Sequence, residues 1–194
     1  MKDVESTREA VRIIESFENL PIEKRLAIFG NLSSRARQEL LEAVTRPGEI
    51  VRRISPEEIF FTVKELGEEN ALGLIAMTTG KQLLYLLDVD LWRDDNLDEG
   101  SVSRWLTVFA AIGEHKILQF VQTADPELIL SALSRFLSVK VRDPDVDLVE
   151  SADSLPPFTL DDMFYVDFRF PQHEDVLKAL LDAIFSWKDR KSVV

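Results

Sequence analysis

Six carboxylates crowd the twelve residues from Asp88 to Glu99: Asp88, Asp90, Asp94, Asp95, Asp98 and Glu99. Oxygen donors at that density are the raw material of a hard-cation site. An EF-hand loop takes ligands at its first, third, fifth and twelfth positions and a glycine at the sixth. Asp88, Asp90 and Glu99 fall on the first, third and twelfth, but Trp92 stands at the fifth and Arg93 at the sixth. Both the ligand set and the sharp turn fail, and the competing reading is a solvated helix–helix connection with acids near the next helix start. A second run, Asp143, Asp145 and Asp147, spells D-x-D-x-D. Leu148 replaces the glycine and Ser154 stands where a bidentate glutamate belongs. This run reads as an acidic loop.

The two histidines are far apart in the chain. His115 follows Gly113-Glu114 and His173 precedes Glu174-Asp175, each beside a helix start. Nothing resembles H-E-x-x-H, so both read as surface or capping residues. No G-x-S-x-G elbow, P-loop or G-x-G-x-x-G occurs. With 35 acids in the chain, the pairs Glu57-Glu58, Glu68-Glu69 and Asp161-Asp162 carry no catalytic weight. Trp92, Trp105, Trp187, Tyr85 and Phe60 lie on or beside apolar stripes, where core packing is the default. Phe60-Phe61 is the exception. Consecutive helical residues point about 100° apart, so one of the two faces outward and can anchor a partner. The alternating stretch Phe164, Val166, Phe168, Phe170 reads as a short strand that lies on its own helices or pairs with another chain's edge.

These residues need elements to hold them. From Ser55 to Trp92 the chain reads as three short helices. Ser55 caps the first, Pro56 fits its first turn, and Glu57 and Glu58 face the positive end of its dipole. Ile59, Phe60, Val63 and Leu66 make its apolar stripe, and Gly67 closes it. Leu72, Ile75 and Met77 belong to the second, which Thr79-Gly80 breaks; Leu83, Leu84, Leu86, Leu87 and Leu91 belong to the third. Upstream, Val11, Ile14 and Phe17 mark an amphipathic helix, Leu26 and Phe29 a short one, and Leu40, Leu41 and Val44 another behind a Ser33 or Ser34 cap. Downstream, Val102 to Ile112, Ile117 to Val121, and Leu128 to Leu137 mark three more, the last opened by Asp125-Pro126-Glu127. Residues 141–161 are rich in proline and acid and read as a loop. Val176 to Phe185 form a closing helix, followed by the basic tail Lys188-Asp189-Arg190-Lys191. Helices this short are marginal alone in water and must stack.

Composition narrows the function. Hydrophobic residues are 45% and charged residues 30%, a globular balance. The absence of cysteine excludes disulfides, thiolate metal sites and a cysteine nucleophile. The N-terminus MKDVESTREA lacks signal-peptide character, and no apolar window is long enough to span a bilayer. Net charge is −12, held entirely by residues 54–194; such a surface repels nucleic-acid backbones.

Short helices opened by a small residue, proline and acid and filled with leucine pairs resemble the N-terminal helical domain of MgtE-type magnesium transporters. The pieces are Ser55-Pro56-Glu57-Glu58-Ile59, Leu66-Gly67-Glu68-Glu69 and Asp125-Pro126-Glu127-Leu128. The middle domain of the flagellar switch protein FliG is a similar superhelix. The run LLYLLDVDLWRDD also resembles an uncharacterised bacterial family of helical proteins.

The expected fold is therefore all-α, an α-solenoid-like stack of short helix pairs with a minor extended or β segment near the C-terminus. It is read as a single helical domain over 1–194, with a subdivision into a helical repeat (1–140) and an acidic loop, short strand and closing helix (141–194). The expected function is a non-enzymatic protein–protein interaction or scaffold module in the cytoplasm, with a basic protein or peptide as partner. The alternative, which the MgtE resemblance implies, is a divalent-cation-responsive regulator. No catalytic, cofactor-binding or metal residue and no cofactor is assigned.

Overall fold

The computed structural model describes residues 2–143, 145 and 155–191. Asp147, Leu148 and Ser154 of the second acidic run lie outside the described residues. The chain divides into two compact units, residues 1–87 and 88–194.

The first unit contains α1 (Lys2–Glu18), α2 (Ile22–Gly30), α3 (Ser34–Ala43), α4 (Pro47–Val51), α5 (Pro56–Leu66), α6 (Leu72–Met77) and the first two turns of α7 (Gly80–Leu91). Their ends follow the local chemistry. Ser33 Oγ accepts from Ala36 N–H at the start of α3, and Ser55 Oγ accepts from Glu58 N–H at the start of α5. Gly67, at φ +82°, ends α5 in a region that disfavours side chains. None of these helices exceeds 17 residues, so packing must stabilise them. Three of them lean on the helix two places along: α2 on α4, α3 on α5 and α4 on α6. Val51, Ile59, Val63, Ile75 and Leu83 are sealed from solvent between them, each adding about 1.5–3 kcal/mol relative to an exposed side chain.

One polar fastener runs through this core. Thr79 and Gln82 form a capping box at the start of α7. Thr79 N–H donates to Gln82 Oε1 at 2.8 Å, and Gln82 N–H donates back to Thr79 Oγ1 at 3.3 Å. The buried Gln82 amide also donates to the carbonyls of Val51 and Ile54, both at 2.8 Å.

The second unit opens with a hairpin, β1 (Trp92–Arg93) and β2 (Asn96–Leu97), where a helix–helix connection was expected. It continues through α8 (Glu99–Ile112), α9 (Glu114–Thr123) and α10 (Pro126–Phe136). A three-stranded antiparallel sheet follows: β3 (Leu137–Val141), β4 (Phe158–Thr159) and β5 (Phe164–Phe168), in the order β3-β5-β4. A 3₁₀ turn (Pro171–His173) leads into α11 (Glu174–Lys191). Helices α8, α9 and α11 pack on one another around Trp105, Phe109, Phe120 and Leu177, all buried.

The fold is mostly helical with small antiparallel sheets toward the C-terminus, as the spacing predicts. Two details differ. Leu137 does not belong to the preceding helix: it caps α10 and begins β3. The segment at Phe164 does not lie alone on helices but is the central strand, with both of its edges paired.

Candidate functional site

The acidic run 88–99 is taken apart by the hairpin. Asp94 and Asp95 have φ of +47° and +62° and form its two-residue turn. Positive φ at both central positions is a type I′ turn, whose twist matches paired strands. Asp98 instead caps α8, accepting from the N–H and Oγ of Ser101, both at 2.8 Å. Those bonds hold its carboxyl below the usual carboxylate range, with Arg93 and Arg104 assisting. Asp90 accepts from the indole N–H of Trp105 at 2.8 Å and lies 3.7 Å from Arg104. Asp88 is exposed on α7, and partial desolvation raises its carboxyl. Among the described residues no three His, Asp or Glu side chains converge on a metal-sized point.

The histidines also part company. His115 is exposed and lines a broad cleft with Glu114, Asp175, Lys178 and Asp182. His173 is buried, a correction to its reading as a surface or capping residue. Its Nε2 lies 2.6 Å from Ser103 Oγ, and its ring meets Phe136 edge-on at 5.8 Å. Burial lowers its pKa, so the neutral ring is the stable form. Ser103 and His173 have the separation of a nucleophile and its base, and neither lines the His115 cleft. The pair ties the 3₁₀ turn to α8. No local motif announces it, because the partners are 70 residues apart.

Trp105 is core, as expected; Trp92 is exposed. Phe61 is the outward member of the Phe60-Phe61 pair, 68% exposed. Phe60 turns inward, its ring 5.6 Å from Phe61 and 6.3 Å from Tyr85.

Phe61 stands at the lip of a cleft of about 460 Å³ between the start of α3 and the outer face of α5. Its floor is built by Arg37. That guanidinium donates to the carbonyls of Phe29 and Gly30 at the end of α2, at 3.1 and 2.8 Å, and to Thr62 Oγ1 at 2.8 Å. It also pairs with Glu58 at 2.7 Å and lies 5.2 Å over the Phe29 ring. A cation there satisfies terminal carbonyls and the negative end of the α2 dipole. At the other end Ser34 Oγ donates to Glu65 Oε2 at 2.6 Å. Glu57, Phe61 and Glu65 are spaced four residues apart, so they form one stripe on α5.

Within the cleft Ser34 Oγ is bonded to the Glu65 carboxylate, and Ser34 itself is buried. The cleft's chemistry is that of a surface: an exposed aromatic ring between carboxylates on a braced helix.

The family described as "Family of unknown function (DUF6178)" matches residues 14–192. The chain belongs to DUF6178. Membership of DUF6178 spans both units, so cleft and sheet alike fall within the matched region. No curated protein and no solved structure matches the chain. No resemblance to MgtE-type or FliG helical domains is shown by these comparisons. No helix among the described residues is long and apolar enough to cross a membrane.

Proposed function

We propose that this chain is a non-enzymatic interaction module whose α3–α5 cleft binds a basic segment of a partner protein. The observation that carries the reading is Phe61, 68% exposed on a stripe with Glu57 and Glu65. A phenylalanine left in water forfeits burial worth about 1.5–3 kcal/mol, and aromatic anchors of this kind concentrate binding energy in interfaces. The carboxylates on either side select for Lys or Arg flanking the partner's apolar residue and raise its association rate. The stacked helices act as the rigid scaffold, the role that the MgtE and FliG resemblance implies.

The cation-responsive reading has less behind it. In the run 88–99, Asp90 and Asp98 already carry hydrogen bonds, and Asp94 and Asp95 shape a turn.

Selection from a random peptide display library tests the proposal. The chain should enrich peptides with an apolar residue between basic ones, and Phe61→Ala and Glu57→Lys/Glu65→Lys variants should each lose them. Affinity should fall steeply as salt rises. Enrichment of the same peptides by wild type and both variants would overturn the reading.

A further inference from the structure

Among the described residues β3 is the longer of the two edge strands of the three-stranded sheet, and its geometry suits a copy of itself. Arg142 N–H donates to the Met163 carbonyl, and Arg169 N–H to the Phe136 carbonyl, each at 2.9 Å. These bonds fix the alternation along the β3–β5 ladder. Ser138 and Lys140 exchange hydrogen bonds with Asp167 and Tyr165, while the backbone groups of Leu137, Val139 and Val141 point away from β5. Among the described residues no strand pairs with that outer side. The side chains of Val139 and Val141 are 52% and 62% exposed. They continue the apolar face that Val166 buries farther in. An exposed strand edge with apolar side chains is a template for pairing.

We infer that this chain self-associates through β3, antiparallel to β3 of a second copy, about a two-fold axis at Val139. Three antiparallel registers place at least two outward-pointing residues of each strand opposite one another. One sets Lys140 against Lys140 of the copy, and like charges directly opposite are unfavourable. Another pairs only Leu137 to Val139. The register centred on Val139 pairs all five residues: Val139 with Val139, Val141 with Leu137, and Lys140 with Ser138. Each Val139 N–H then donates to the other Val139 carbonyl, and each Val141 N–H to the Leu137 carbonyl opposite. Leu137 N–H is already bonded to the Leu133 carbonyl, so four bonds form. Charge is complementary in the same register. Ser138 faces Asp167 across the ladder, so the copy's Lys140 arrives next to Ser138 in a row that ends on Asp167, and the small serine leaves the way clear. The interface is isologous, as closed dimers require. It is also small, so the dimer dissociates on dilution, with a constant on the order of 100 μM.

The chain has no cysteine, which makes cross-linking unambiguous. Val139→Cys places two thiols across the axis with Cα atoms about 5.5 Å apart, within disulfide reach. Under a mild added oxidant it should form covalent dimer, and Leu130→Cys, on the equally exposed Leu130 of α10 (65%), should not. Sedimentation should show wild type shifting from monomer to dimer with concentration. Ser138→Lys, which opposes two lysines, and Val139→Pro, which removes the central donor without touching a β5 bond, should each weaken the dimer about tenfold or more. Their far-UV circular dichroism reports whether they stay folded. A wild type that remains monomeric at millimolar concentration overturns the inference. So does equal cross-linking of the two cysteine variants, or a dimer that both folded edge variants leave intact.

Discussion

Gln82 offers the sharpest test of how the first unit is held together. Its amide makes four hydrogen bonds in a buried site: two donated to Val51 and Ile54 carbonyls, two accepted from Thr79. At about 1 kcal/mol net for each bond, and no water to replace them, Gln82→Ala should cost about 3–4 kcal/mol. That is a large part of the 5–15 kcal/mol typical of a domain. Gln82→Glu separates the two halves of the site. The substituted carboxyl still accepts from Thr79, but when ionised it turns oxygen on the two carbonyls that the amide reaches at 2.8 Å. Protonated, it regains one donor.

Burial and those carbonyls raise the pKa of that carboxyl above the ordinary value of about 4.3 by roughly 2–3 units. The stability of a group raised in this way is complete below its unfolded pKa and is lost as pH rises through the folded one. At 1.36 kcal/mol per unit plus one lost bond, the penalty is about 2.5 kcal/mol at pH 5.5 and about 4–5 kcal/mol at pH 8.5. Urea unfolding followed by far-UV circular dichroism measures it, because all three tryptophans lie outside residues 1–87. Both pH values lie above the pI of 4.7, which keeps the chain soluble. A Gln82→Ala cost under 1 kcal/mol, or a Gln82→Glu penalty that does not grow with pH, would refute the reasoning.

Other outcomes follow from single groups in the second unit. His173 has its pKa lowered by burial, so its contribution is present above the unfolded value of about 6.5 and lost as pH falls through the folded one. Tryptophan-detected urea midpoints should drop from pH 8 to pH 5.5, and His173→Gln should flatten that drop while costing about 1–2 kcal/mol at pH 8. Lys116 is buried, bonded to Gln119 Oε1 at 2.6 Å, and its pKa is lowered to about 8 by desolvation. Wild-type stability should therefore gain as pH rises from 8 toward 10, and Lys116→Met should remove that gain in the same assay. Asp94→Asn/Asp95→Gly gives the type I′ turn its preferred residues and removes two like charges. It should stabilise by about 0.4–1 kcal/mol, read as a rise in Tm; a fall would contradict the turn assignment.

Much of the helical framework was legible because its signals are local. Ser55, Pro56 and Gly67 bound α5 through contacts spanning at most four residues, and so do Asp125 and Pro126 for α10. The Thr79–Gln82 box was equally local, but it lay behind a Thr-Gly pair that reads as a break. Phe61 was partly legible: helix geometry says that Phe60 and Phe61 diverge, not which one faces water.

By itself the sequence determined a mostly helical, acidic chain whose helices are too short to stand alone, because caps and apolar spacing act within a turn or two. Tertiary structure alone decided that Asp94 and Asp95 turn a hairpin, that His173 is buried against Ser103, and that β3 is left at an edge. The hairpin pairs Trp92 with Leu97 only five residues on; the other two depend on which distant segment arrives opposite. Leu137 meets Phe168 across 31 residues, and no periodicity within either strand specifies its neighbour.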